Sequence, residues 1–234
     1  MNKKTKLKIF LFINFIVFIL VVISSIIMFT GFKFMNGTEI VLESTKLGML
    51  RFFTVESNIF VGIISLIFAI NEINVIKGKK KEISKRNYII KLMATTAVGL
   101  TFFVVFAYLG PIATTGISSL LMNSNLFVHL IIPVLSILNF VLFEKTDKLN
   151  FKSTFYGIVP TAIYGYYYLL NVLIHMENGI ISPTYDWYWF VQYGVWTAII
   201  VVPIIFLITY IISCVLWRAN NIKIAKNHIN LPIK

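Results

Sequence analysis

The sequence predicts an all-α fold, a polytopic membrane protein built as one bundle of six transmembrane helices over residues 1–234. Two observations of composition and one of length predict it. The chain is 58 % hydrophobic and only 13 % charged, where a soluble domain carries about 25 % charged residues. The charges are segregated: they lie between apolar blocks and rarely inside them. Six of those blocks reach the roughly 20 residues that a helix needs to cross a bilayer. They fall near 9–30, 52–76, 88–109, 125–143, 154–175 and 193–217.

The first block follows Lys3, Lys4, Lys6 and Lys8, as the core of a signal peptide would. The apolar run from Ile9 to Phe29 exceeds the roughly 7–15 residues of such a core, and no A-x-A-like cleavage site follows it. It is expected to be a retained first span. Span two opens on the stretch 51–60, RFFTVESNIF, which puts Thr54, Glu56, Ser57 and Asn58 at the mouth of an apolar segment. Span four contains Pro133, which cannot donate a backbone hydrogen bond and so frees the carbonyl of His129. A local opening of the helix beside His129 is expected. Pro160 and Pro203 are expected to kink spans five and six. The connection 176–192 carries Tyr185, Asp186, Trp187, Tyr188 and Trp189, a composition suited to an interfacial aromatic belt.

Lysine and arginine set the orientation. Four precede span one, seven lie in 77–91, three in 144–153 and four in the tail, which places eighteen on one side of the membrane. The other side holds three, Lys33, Lys46 and Arg51. The positive-inside rule therefore predicts both termini in the cytoplasm and a multi-pass protein of the plasma membrane.

Several chemistries find no support. The net charge of +12 sits in loops suited to an anionic phospholipid surface, not to nucleic acid. The one cysteine, Cys214, allows no intrachain disulfide. Metal-type Cys/His spacing, G-x-S-x-G and glycine-rich phosphate loops are missing from the sequence. His129 and His175 have no further donor at ligand spacing, so neither a metal nor another cofactor is expected.

Helical periodicity gathers the polar residues. Thr54, Asn58, Gly62, Ser65 and Ala69 recur at steps of three and four, as do Asn125, His129, Pro133, Ser136 and Phe140 in span four. Tyr164, Tyr168, Asn171 and His175 form a third stripe in span five. Such stripes face other helices. With the predicted orientation, Thr54, His129 and His175 share the outer half of the bundle. A threonine hydroxyl beside a histidine base is a possible nucleophile, with Thr54 and His129 as the catalytic pair. Asn58 or Asn125 would orient the imidazole or stabilise an oxyanion, with Ser57 and Glu56 in support. The same residues also fit a plainer arrangement, in which Thr54 caps span two and His129 is a buried inter-helix hydrogen-bonding group.

At these residues the chain resembles the androgen-induced membrane proteins and their bacterial six-helix relatives, which include the androgen-dependent regulator of tissue factor pathway inhibitor. RFFTVESN opening span two, NLFVHLIIP opening span four and the Phe143–Glu144 pair closing it carry the resemblance. It implies a threonine hydrolase of fatty acid esters of hydroxy fatty acids, with Thr54 as nucleophile and His129 as base. Ser57-Asn58 after the threonine, and a proline one position closer to the histidine, depart from the animal pattern and bear on the substrate. A membrane lipid ester would then enter from the outer leaflet past Tyr164, Tyr168, Asn171, His175, Trp187 and Trp189. Two other classes stay open: a small-molecule or lipid transporter or binding protein, and a structural or assembly factor without chemistry.

Overall fold

The computed structural model describes residues 3–37, 45–144, 146, 149–178, 180–181, 184–191, 193–194 and 196–229, with the side chains of 3–4, 180–181 and 222–229 left aside. The loop cations Lys145, Lys148 and Lys234 counted above lie outside the described residues. Six helical spans run in order: α1 Lys3–Thr30, α2 Phe53–Ile76, α3 Lys85–Ile112, α4 Ser124–Phe143, α5 Phe151–Ile174 and α6 Trp196–Ile229. All six are long and apolar enough to cross a membrane. Within the described residues the only strands are Met176–Glu177 and Ile180–Ile181, a two-residue antiparallel pair after α5.

Each helix turns a narrow face inward. On α1, Asn14, Val17, Val21 and Ser24 are buried at steps of three and four, while Phe12, Phe15, Ile19 and Ile26 are exposed. On α2 the inward stripe is Asn58, Gly62, Ser65, Ala69 and Glu72. Large apolar side chains on the outer surface suit a lipid environment, where water gives no drive to hide them. What joins the helices is close packing and polar contact. Gly62 allows α2 to lie on α1: a Cβ there would stand 2.8 Å from Val21 Cγ1 and 2.9 Å from Val21 Cβ. The helix α3 is the central one, packed against α2, α4, α5 and α6, with an unbroken buried run from Ala94 to Thr101.

Prolines and local caps set the ends. Ser84 caps α3 by accepting from the Asn87 N–H at 3.3 Å. Gly78, at φ 73°, closes α2 in the left-handed conformation that glycine tolerates best, and its N–H reaches the Val75 carbonyl. Ahead of Pro111, α3 widens into a π turn over Val104–Leu109. Ahead of Pro133, α4 does the same over Phe127–Ile131, so the opening expected beside His129 takes the form of one wide turn. Pro160 behaves differently from the expected mid-helix kink. It sits in the first turn of the regular part of α5, after a 3-10 stretch over Phe151–Ile158, where its missing N–H has no partner to lose.

At Gly157, α5 lies close on α6 and α3. A Cβ there would meet Ser213 Cβ at 2.6 Å and Thr96 Oγ1 at 3.2 Å. Gly157→Val is expected to force these helices apart and cost about 1–3 kcal/mol. A thermal midpoint measured in detergent checks this, and an unchanged midpoint would mean the helices slide apart freely.

Candidate functional site

Thr54 is the second residue of α2 and is half-buried. Phe52 takes the N-cap position and its own side chain bonds none of the free amides there, so Thr54 is not the cap of its helix. Ser57 instead donates to the Thr54 carbonyl at 3.1 Å and pairs with Thr101 Oγ1 at 3.1 Å. Asn58 brings α2 and α4 together. Its Nδ2 donates to the Thr54 carbonyl at 2.7 Å and to the Val128 carbonyl at 3.1 Å. Both amide hydrogens are thereby used, so Asn58 is a positioning residue and cannot double as an oxyanion donor as the sequence allowed. Asn125 is buried one turn before His129. Glu56 is exposed.

The imidazole of His129 is held by one contact of defined polarity. Nδ1 lies 2.7 Å from the Leu120 carbonyl. A carbonyl can only accept, so Nδ1 carries the proton and, in the neutral ring, Nε2 presents a lone pair. The backbone partner comes from the 3-10 turn Ile117–Leu121, which folds back beside the wide turn of α4. Among the described residues no hydrogen bond joins Thr54 to His129. The two stand on helices that Asn58 ties together at this level.

The residues expected to line a substrate path separate into two groups. Tyr164, Tyr168 and Trp187 are buried packing residues. The Tyr164 hydroxyl donates to the Arg51 carbonyl at 2.6 Å and accepts from Trp187 Nε1 at 3.0 Å. Trp187 therefore leaves the interfacial belt assigned to it and joins the core, with the Arg51 guanidinium 5.8 Å from its ring. Trp189 is 58 % exposed. Asn171 donates to the Tyr185 carbonyl at 3.3 Å, and His175 stacks on Tyr185 at 3.7 Å between centroids. Tyr188 accepts from the Phe53 N–H at 2.9 Å. Burial pushes its phenol up to about 12, so it stays a neutral hydroxyl across the physiological range.

Asp186 closes this end. Buried in the connection after α5, its carboxylate accepts from the Tyr168 hydroxyl, from the Phe190 N–H at 3.0 Å and from the Val191 N–H at 3.1 Å. Asp186→Asn replaces one acceptor with a donor and is expected to cost about 1–3 kcal/mol. Faster proteolysis between residues 184 and 194 is the readout, and wild-type resistance would refute the clamp.

At the opposite end, near the N-terminus of α1, lies a charged cluster that the sequence reading passed over. Lys91, counted above among the loop cations, is fully buried within α3. Its Nζ donates to Asn14 Oδ1 at 2.6 Å and to Ser65 Oγ at 3.1 Å, and pairs with Glu144 Oε1 at 3.3 Å. Asn14 Nδ2 reaches Glu144 Oε1 at 2.7 Å and both Glu72 oxygens at 3.2 and 3.3 Å. Asn139 adds a donor to Glu144 Oε1 at 2.9 Å. Glu144 sits where α4 ends on a π turn, with its N–H bonded back to the Asn139 carbonyl. A signal for Glu72 was present: it continues the stripe of Ser65 and Ala69 by one more step of three.

No protein family, curated protein or solved structure compared with the chain matches it.

Proposed function

We propose that the chain is an integral membrane lipid-ester hydrolase with Thr54 as nucleophile and His129 as base, acting near the outer leaflet. The observation that carries the reading is the polarity of His129. With Nδ1–H donated to the Leu120 carbonyl, Nε2 is the basic nitrogen, which is the tautomer a general base needs. The Asn58 bridge supports it by holding the start of α2 against the wide turn of α4. The sequence motifs around both residues support it further through their resemblance to the androgen-induced membrane proteins.

In this reading His129 Nε2 takes the proton of the Thr54 hydroxyl, directly or through one water, as the oxygen attacks an acyl carbonyl. The alcohol leaves with that proton. Water, deprotonated by the same nitrogen, then releases the acid from the acyl-threonine. Asn125 donates to the oxyanion. No metal or other cofactor takes part. The membrane is the plasma membrane and both termini are cytoplasmic. The charge bias behind that orientation keeps its sign when Lys91 is taken out of the loop count.

Labelling of the purified protein by a fluorophosphonate, with the label lost in Thr54→Ala, tests the assignment. Label or esterase activity retained in Thr54→Ala would remove Thr54 as the nucleophile. A second reading, a small-molecule or lipid transporter, is favoured by one observation, the ion pair of Lys91 and Glu144 buried inside the bundle. Ionisable groups at such depth often mark a transport path. Uptake by proteoliposomes, unaffected by Thr54→Ala, would favour it over the hydrolase.

A further inference from the structure

The buried cluster between α1, α2, α3 and α4 is short of one positive charge. Lys91 supplies one ammonium, while Glu72 and Glu144 supply two carboxyl groups, and all three side chains are at least nine-tenths buried. An uncompensated carboxylate at this depth costs several kcal/mol, well beyond what one amide hydrogen bond returns. Glu72 has the weaker share. Among the described residues its oxygens are reached by Asn14 Nδ2 alone, which also serves Glu144.

Two acceptors of the cluster lack partners. Glu144 Oε2 and Asn139 Oδ1 are buried without a hydrogen-bond partner. Both are acceptors, so what they lack is a donor or a cation. A cavity of about 220 Å³ lies against the cluster, lined by Glu72, Glu144, Phe68 and Tyr88. It reaches the surface between exposed Lys6 of α1 and exposed Lys81 and Glu82 of the α2–α3 connection.

We propose that Glu72 and Glu144 form a binding site for a monovalent cation, a proton or an alkali ion, reached through this cavity. One positive charge brings Lys91, Glu72 and Glu144 to neutrality. A divalent ion would overshoot, beside the Lys91 ammonium and with Lys6 and Lys81 at the entrance. The charged and titratable groups around the site are Lys6 from α1, Lys81 and Glu82 from the connection, Tyr88 and Lys91 from α3, and Glu144 from α4. As a proton site, Glu72 takes its proton from water in the cavity and returns it there. As an alkali site, the carboxylate oxygens of Glu72 and Glu144 supply the hard oxygen donors that such an ion requires. The site lies at the other end of the bundle from Thr54 and His129 and does not depend on their role.

The test is infrared difference spectroscopy of the full chain in lipid nanodiscs, against pH and against sodium, potassium or choline chloride. A proton is identified by a carboxylic-acid carbonyl band at neutral pH that ignores salt, disappears on alkalinisation and is lost in Glu72→Gln. An alkali ion is identified by carboxylate bands that shift with sodium or potassium but not choline, with a saturable rise in the thermal midpoint that Glu72→Gln abolishes. Glu144→Gln leaves Lys91 and Glu72 balanced one to one and is expected to lose either response, which serves if Glu72→Gln does not fold. Thr54→Ala is expected to keep it. A wild-type protein with neither the acid band nor an alkali response overturns the proposal, as does a response that survives in both glutamine variants.

Discussion

Lys91→Met is expected to be the most destabilising single substitution in the bundle, at about 3–5 kcal/mol. Methionine matches the lysine stem in length and keeps its contact with the Phe68 ring, over which the ammonium stands at 5.1 Å. What is lost is the only cation among three buried ionisable groups, together with the donors to Asn14 and Ser65. Glu144 then keeps the Asn14 and Asn139 amides but loses the ammonium that pairs it. The cost is that of leaving a buried partner unpaired, which exceeds the net worth of the pair itself. A cycle with Glu144→Gln isolates this: the double variant is expected to recover more than half of the loss, because the orphaned carboxylate is gone. Thermal or denaturant unfolding in lipid or detergent measures it. A Lys91→Met protein as stable as wild type would mean that the ammonium does not hold the carboxylates.

On the proposed mechanism, His129→Asn lowers kcat/KM for a lipid ester by about 10²–10⁴-fold, the range that a positioned general base contributes. Asparagine places its amide nitrogen where Nδ1 stands and retains a donor for the Leu120 carbonyl, so the fold around the wide turn of α4 is expected to survive. It lacks a basic nitrogen, so proton removal from Thr54 fails. The loss is expected in kcat with KM nearly unchanged, because His129 takes no part in holding the acyl chain. Turnover of a short-chain ester by nanodisc-embedded protein, compared at matched stability, gives the answer. A loss below about tenfold would take His129 out of the role of base.

The part of this protein written in local sequence is the set of spans. Each of the six segments expected from apolar length falls on one of α1 to α6, with ends within three residues except that α1 starts six residues earlier and α6 runs twelve residues further, because crossing a bilayer depends only on how many apolar residues follow one another. The stripe through Asn58, Ser65 and Ala69 also faces inward as its spacing requires. The turn at His129 was legible for the same reason: a proline removes one N–H from a known carbonyl wherever the helix packs.

The tertiary structure decided which polar groups meet. Lys91 lies three residues into an apolar block, next to a run of loop cations, and nothing local separates a snorkelling lysine from a buried one. Its partners Asn14, Glu72 and Glu144 come from three other helices, and their meeting depends on helix order and rotation about each axis. Trp187 and Trp189 are two residues apart in one aromatic run, yet one is buried in the core and the other exposed, because the Asp186 clamp fixes the path of the chain between them. Apolar length is a property of each segment alone, and so the sequence determined the six spans. Contact is a property of pairs of segments, and so only the packed bundle decided where the charges pair, which carbonyl fixes the His129 tautomer and which buried oxygens are left to take a cation.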